Sequence, residues 1–273
     1  MDRYIDDIEF TIFDTETTGL NPDSGDRIVE IAGLRVKGQK VLGKFHSFIN
    51  SPKEISPAAF AVNHITREML ENSPAPEVVL DNFLNFIKGS CLCSYNAAFD
   101  MGFIENELVL SGRGKLNDII VIDILKMAKR LLPGMERYAL WFVSQKMQVN
   151  MQQEHRAFSD AQIALEVFNK LKDMLYHKGI FSFSNFVNLF GINLALLEDM
   201  NNSKIAKIQE AIGLGASIKI NYLSSVSAEL TEREITPKEI RRERGHSYMV
   251  GYCSLRKDER TFRVDSILHL EIL

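Results

Sequence analysis

Phe13-Asp14-Thr15-Glu16-Thr17-Thr18-Gly19-Leu20 is the stretch from which the fold can be read. It continues Ile8-Glu9-Phe10-Thr11-Ile12, which alternates as a strand does. Side chains two apart on a strand share a face, so Asp14 and Glu16 extend the face of Phe10 and Ile12 until Thr17-Thr18-Gly19 turns the chain. Two like charges at the rim of a core cost on the order of several kcal/mol unless something neutralises them. A hard divalent cation does so, because it prefers carboxylate oxygens. Taken alone, Asp-x-Glu also reads as a solvated acidic turn, so the pair needs partners elsewhere in the chain.

Two later stretches supply them. In Ser94-Tyr95-Asn96-Ala97-Ala98-Phe99-Asp100, a short apolar strand from Cys91 runs into a helix with Asn96 at its N-cap. Asp100 falls in the first helical turn, at the sheet edge where ligands gather. By itself it reads as an acid complementing a helix dipole. In His155-Arg156-Ala157-Phe158-Ser159-Asp160, Asp160 shares a helical stripe with Ala164, Val167 and Leu171, so it points inward. His155 would lie about 140° round from Asp160 on a regular helix, which puts it on the preceding loop, reaching over the site. Four inward carboxylates can hold two cations about 3.5–4 Å apart for phosphodiester hydrolysis. A histidine that titrates near neutrality can take the proton of the attacking water.

The rest of the chain frames these motifs. Its 273 residues suit one large domain or two smaller ones, and 45% hydrophobic with 25% charged residues is an ordinary globular composition. The net charge of −4 argues mildly against a nucleic-acid coating protein but little against an enzyme gripping one strand end. The three cysteines, Cys91, Cys93 and Cys253, have no metal-ligand spacing, which favours a reducing, cytoplasmic compartment. The N-terminus is unlike a signal peptide and no apolar run reaches membrane length. Strands over 27–36 and 41–50 joined by Lys37-Gly38-Gln39-Lys40, a helix opened by Pro76, a strand–helix unit over 119–132, and helices over 138–147 and 157–175 predict an α/β mixed sheet with flanking helices. A Phe- and Leu-rich connector helix is expected over 181–197, then a short helix from Lys204 capped by Ser203 and closed by Gly213. Five short alternating runs after it suggest a small β-barrel. Residues 204–273 carry 12 Lys and Arg against 10 Asp and Glu, so this part is the more basic one.

The three motifs, in this order and spacing, resemble those of the DnaQ-like 3′→5′ exonucleases, in the histidine-bearing DEDDh branch that includes the epsilon subunit of bacterial DNA polymerase III. The resemblance covers roughly residues 7 to 176. It implies a ribonuclease-H-like fold, two magnesium or manganese ions per site held by Asp14, Glu16, Asp100 and Asp160, and His155 as general base. It also implies substrate contacts from Thr15, Thr17, Leu20, Asn63, His64 and Phe99. The epsilon-type pattern has His-Gly-Ile where this chain has Asn63-His64-Ile65, so the contact of that histidine with the terminal nucleotide passes to Asn63 or His64, if it is kept. Phe99 reads either as a stacking platform or as core.

The last 70 residues resemble a WYL domain through Ile218-Lys219-Ile220-Asn221-Tyr222, Arg233-Glu234-Ile235-Thr236-Pro237, Tyr248-Met249-Val250-Gly251-Tyr252 and Arg260-Thr261-Phe262-Arg263-Val264-Asp265. The signature Trp-Tyr-Leu reads Ser247-Tyr248-Met249 here. This resemblance implies an SH3/Sm-like β-barrel that assists nucleic-acid binding or regulation, with Arg233, Arg260 and Arg263 as phosphate contacts. A solvated charged face is the alternative for each of the three. The expected organisation is therefore an exonuclease domain over 1–178, a helical connector over 179–203 and a WYL-like domain over 204–273. The expected activity is metal-dependent 3′→5′ hydrolysis of single-stranded DNA. An exoribonuclease, and a ligand-sensing nucleic-acid-binding protein that uses the fold as scaffold, are the alternatives. No tail for docking on a polymerase is evident, and association with one stays open.

Overall fold

A computed structural model describes residues 3–114, 116, 119–243 and 245–273; Met1 and Asp2, where the N-terminal reading begins, lie outside them. β1 (Glu9–Thr17), β2 (Ile28–Lys37) and β3 (Lys40–Phe48) form an antiparallel meander. The turn between β2 and β3 is Gly38-Gln39, and Gly38 takes φ +55°, a left-handed conformation that tight hairpins need. Two short helices, α1 (Pro57–Asn63) and α2 (Arg67–Leu70), precede α3 (Pro76–Ile87). β4 (Cys91–Ser94) then pairs parallel with β1, and α4 (Ala97–Leu110) leads to β5 (Val121–Asp123), parallel to β4. The sheet order β3-β2-β1-β4-β5 is the expected mixed α/β arrangement. α5 (Ile124–Leu131), α6 (Leu140–Lys146) and α7 (Ala157–His177) complete this part.

The alternation of β1 divides the interior in two. Ile8, Phe10 and Ile12 face a core shared with α5 and α7, where the Phe10 ring lies 5.2 Å from that of Phe168. Phe13 faces the opposite core, with α3 and α4. The strand thus delivers Asp14 and Glu16 to the side on which α7 lies. Cys91, Cys93 and Cys253 are buried and free, as small apolar residues are. Among the described residues no helix is long and apolar enough to cross a membrane.

One expectation holds in altered form and two need correction. Asn96 does occupy the N-cap of α4, but in the left-handed region (φ 72°) and without a capping side-chain bond. The connector is not one helix over 181–197. It breaks after α8 (Phe183–Phe190), because Gly191 and Ile192 pair with the edge of β5: Gly191 bridges Ile122, and the Ile192 N–H donates to the Val121 carbonyl at 3.1 Å. A side chain at Gly191 would meet the Val187 carbonyl at 2.6 Å, so the break is built for glycine. Conversely, the expected cap at Ser203 is the middle of α9 (Leu194–Leu214), which Asn193 caps and left-handed Gly215 ends. Leu196, Leu197 and Met200 pack on the first core while Ile208 and Ala211 lie in the core of the second sheet. One helix therefore spans the expected boundary at 203/204, with Asn202 and Ser203 exposed in its middle.

That second sheet contains β6 (Ile218–Leu223), β7 (Leu230–Glu243), β8 (His246–Cys253), β9 (Asp258–Arg263) and β10 (Ile267–Ile272) in the order β10-β6-β7-β8-β9. All five expected strands are present, but the ladder is open rather than a closed barrel: β9 and β10 are its two edges. A 3-10 turn over Val264–Ser266 separates them, and Ile208 and Ala211 of α9 cover the core in place of strand closure. Hydrogen bonds tie the sheet to the first part of the chain. Arg130 donates to the Leu223 carbonyl at 2.8 Å and to the Ser266 hydroxyl, and Asn188 donates to the Asp265 carbonyl at 2.9 Å.

A single α9 predicts that Asn193→Ala loses about 1 kcal/mol of stability, the usual worth of an N-cap, whereas exposed Ser203→Ala changes it by under about 0.5 kcal/mol. Urea titration of both variants checks this, and the reverse ranking would place the helix start at Ser203.

Candidate active site

At the end of β1, one oxygen each from Asp14, Glu16 and Asp160 lies within 4.8 Å of the others. Strand alternation directs the first two; the apolar stripe of α7, with Ala164, Val167 and Leu171 buried below, directs the third. Burial raises the pKa of Asp14 well above the ordinary carboxylate range, and repulsion from Asp100, Glu16, Asp160 and Glu30 adds to it. Glu16 is pushed up to about 8, first by burial and then by Asp160 and Glu30, with Asn63 opposing. Burial also raises Asp160, against the hydrogen bond from Gln153 and the nearby His155. Asp160 Oδ1 is buried and accepts no hydrogen bond among the described residues. Crowded, desolvated carboxylates with an orphaned oxygen fit a site for divalent cations, which supply the missing positive charge and the missing ligand to that oxygen.

Asp100 stands apart from the three. It reaches the strand end from α4, on the other side of the sheet, and both its oxygens are engaged. Oδ1 accepts from the Thr15 N–H (3.0 Å) and hydroxyl (2.7 Å), and Oδ2 accepts from the Ser94 hydroxyl (2.5 Å). Its pKa is raised to about 6 by burial, with these bonds holding it down. It remains close enough to Asp14 to be the largest charge acting on it. His155 sits on the loop before α7, as expected, in the left-handed region at φ 52°. Its side chain is half exposed, with Nδ1 4.0 Å from Asp160 Oδ2, an electrostatic neighbour beyond hydrogen-bond reach.

The other expected contacts differ in what they leave for a ligand. Thr15 and Thr17 are buried, the first hydroxyl donating to Asp100 and the second to the Gly19 carbonyl at 2.5 Å. Leu20 is 83% exposed. Asn63 is buried beside Glu16 and donates to the Thr17 carbonyl at 3.3 Å, while His64 is an exposed left-handed C-cap stacked edge-on against Phe60. Of the two, Asn63 is the one beside Glu16. Phe99 is half buried, its ring 5.0 Å from Phe103 and packed on the second core. In the second sheet, Arg233 bonds to Thr231, Arg260 lies 3.6 Å from Asp258 and Arg263 is clamped on Asp265.

Sequence reading missed Glu30, the best-partnered acid of the site. It lies directly across the β1–β2 ladder from Glu16, where like charges repel. Its carboxylate is 1% exposed and accepts two bonds from Arg156, each 3.0 Å, one from the Ala157 N–H at 3.2 Å, and meets His46 Nε2 at 2.6 Å. Glu30 is thereby neutralised by protein, and it staples the start of α7 to β2. The signal was an acid inside the otherwise apolar run Ile28-Val29-Glu30-Ile31-Ala32.

Residues 11–168 match the RNase_T family, described as an exonuclease, and residues 203–272 match the WYL domain. Among curated proteins, the chain is 35% identical over 166 residues to the DNA polymerase III epsilon subunit of Treponema pallidum, covering 60% of this chain and 76% of that one. It is 32% identical over 171 residues to the 3′-5′ exonuclease DinG of Bacillus subtilis, and 34% over 190 residues to a PolC-type DNA polymerase III of Caldanaerobacter subterraneus. Those matches cover 61% and 70% of this chain but only 18% and 13% of these relatives, so the chain spans a small part of their length. The fold is that of the nuclease domain of 3′hExo, a DEDDh family member, with TM-score 0.56 at 16% identity, covering 66% of this chain and 97% of that domain.

The raised pKa values set a pH test. Glu16 titrates near 8 in the fold against an ordinary 4.5, so the ion-free fold loses stability as pH rises through that window. Cation binding displaces the same protons, so stabilisation by manganese grows with pH. Melting curves with chelator should fall from pH 5 to pH 8, and the gain on adding manganese should be larger at pH 8 than at pH 6. A gain independent of pH would contradict the assignment of these carboxylates as ligands.

Proposed function

The chain belongs to the RNase_T exonuclease family, and on that premise we propose that it removes nucleotides from the 3′ ends of single-stranded DNA, with two magnesium or manganese ions per site. The observation that carries this reading is the convergence of Asp14, Glu16 and Asp160 around an unpartnered Asp160 oxygen, with His155 at its edge. These three carboxylates would hold the ions, with Asp100 alongside, steadied by Thr15 and Ser94. Bound cations supply charge neutralisation to the attacking and leaving oxygens of an in-line displacement.

The residues of the chain do the remainder. His155 presents Nδ1 toward Asp160, and Nε2 is left to take the proton of the attacking water. As the water oxygen bonds to phosphorus, the bond from phosphorus to the 3′ oxygen of the neighbouring nucleotide breaks, and that oxygen leaves to be protonated. The half-exposed His155 loop lets water reach it, and Glu30 with Arg156 fixes where that loop enters α7. Asn63, buried beside Glu16, stands in the place of the family histidine as the contact to the terminal nucleotide, and exposed Leu20 borders the strand path. The second sheet assists grip or regulation, and its anchoring through α9 makes it part of the same body.

A timed digestion of 3′- and 5′-labelled DNA and RNA oligonucleotides, with magnesium, manganese and EDTA, tests the proposal. We expect metal-dependent stepwise shortening from the 3′ end, faster on DNA. Asp14→Ala should abolish it, and His155→Ala should slow it by about 10²–10⁴-fold, the usual contribution of a general base. Full activity in pure Asp14→Ala protein would refute the mechanism. Faster loss of RNA would make the protein an exoribonuclease with the same chemistry.

A further inference from the structure

Among the described residues the two sheets have four edges, and three of them carry a defence against further strands. β5 is covered by the backbone of Gly191 and Ile192. β3 carries exposed Lys40 and Lys44 and sits against a register shift at Arg35/Val36, two devices that discourage pairing. β9 opens with Asp258-Glu259-Arg260-Thr261, all exposed, with Glu259 tied to Lys238 at 2.6 Å and Arg260 lying 3.6 Å from Asp258. β10 differs. Its sequence Ile267-Leu268-His269-Leu270-Glu271-Ile272 has no lysine, arginine or proline, and its only formal charge at neutral pH is Glu271.

The backbone of β10 is also presented outward in a fixed phase. The strand pairs antiparallel with β6, with His269 opposite Asn221, Leu270 opposite Ile220, Glu271 opposite Lys219 and Ile272 opposite Ile218. The Leu273 N–H donates to the Ser217 carbonyl at 2.9 Å. Bonded and non-bonded positions alternate along an antiparallel pair, so His269 and Glu271 bond to β6, while Leu270 and Ile272 turn their N–H and C=O groups to the free edge. Upstream, Lys204 Nζ donates to the Ile267 carbonyl at 2.6 Å, so the free stretch begins after Ile267. The side chains of Leu270 and Ile272 belong to the core under α9, whereas His269 and Glu271 are exposed. A groove of about 470 Å³ runs along this edge, with Lys207 and Glu210 of α9 as its other bank.

We propose that β10 is a self-pairing edge, through which two copies of this chain join antiparallel about a two-fold axis at Leu270. Parity and charge select this occupant. Two antiparallel copies of one strand bond only where outward-turned residues meet outward-turned residues, which in this short stretch leaves registers centred on Leu270 or on Glu271. The second sets Glu271 against its own copy, and like charges directly opposite repel. The first sets His269 across from Glu271 of the second copy and Glu271 across from its His269, an imidazole beside a carboxylate at both places. On the other face Leu270 meets Leu270 and continues the core from one sheet into the next. Lys207 and Glu210, three residues apart on α9, offer opposite charges that an antiparallel second α9 complements. Such an interface is isologous and closes at two copies. It contains none of the carboxylate cluster, so it does not depend on nuclease activity.

Sedimentation velocity of the full chain over roughly a hundredfold range of concentration tests this. We expect a reversible shift from the mass of one chain to that of two and no further. Amide hydrogen exchange compared at the two ends of the range should show added protection at Leu270 and Ile272 and none along β9. His269→Glu sets a new carboxylate against Glu271 at both places in the dimer and should raise the dissociation constant by about tenfold, the scale of two like-charge cross-strand pairs. Adding Glu271→His exchanges the two residues and should restore the parent constant, because only a register that places these positions opposite each other is indifferent to their exchange. Both positions are exposed, and circular dichroism spectra of the variants at low concentration should match the parent. The mass of one chain at every concentration, a dimer without protection of β10, assembly beyond two with protection along β9, or a double variant no better than His269→Glu overturns the inference.

Discussion

Mutual repulsion among buried acids is the constraint on which the site depends. β1 and β2 place Glu16 and Glu30 opposite one another, and α7 brings Asp160 to the same spot. A fold cannot ionise all of these without help. The two groups of acids meet it differently. Glu30 receives a bidentate arginine, a backbone N–H and an imidazole, and so becomes a structural joint between β2 and the start of α7. Asp14, Glu16 and Asp160 receive no such set; their pKa values are held up by burial instead.

The joint also governs His155. Arg156 is bonded to Glu30 on one side of the peptide and lies 5.0 Å from the Phe48 ring, so the residue before it has little freedom in direction. His155 takes a left-handed conformation there and turns its ring toward Asp160. The exposure of the ring and the rigidity of its anchor are compatible because they belong to adjacent residues. Asp100 is steadied on the other side of the sheet by Thr15, whose neighbours in β1 are Asp14 and Glu16. Asp14, Glu16 and Asp100 are thereby referred to the same strand.

α9 plays the corresponding part at larger scale. Its first half completes the core behind β1 and its second half covers the open five-stranded sheet, so that sheet needs no closure of its own. From this economy it follows that α5, α8 and α9 meet the β7–β8 end of the sheet, leaving cations of both parts facing one space.

Local pattern was enough to read the mixed sheet, the direction of Asp14 and Glu16, the inward face of Asp160 and the loop position of His155. Each depends on a period of two or 3.6 residues, or on a nearby turn, and those are properties of short stretches. Tertiary structure alone decided the rest. Glu30 and Arg156 are 126 residues apart, and their pairing exists only once α7 crosses the sheet. Ser203 reads as a helix cap because its polarity is local, whereas the two cores that carry α9 through it are not. Whether five strands close into a barrel depends on which helix covers the core, and that Thr15 engages an Asp100 oxygen follows only from tertiary packing. Sequence periodicity states which way a side chain faces; which group meets it there is settled by contacts between segments far apart in the chain.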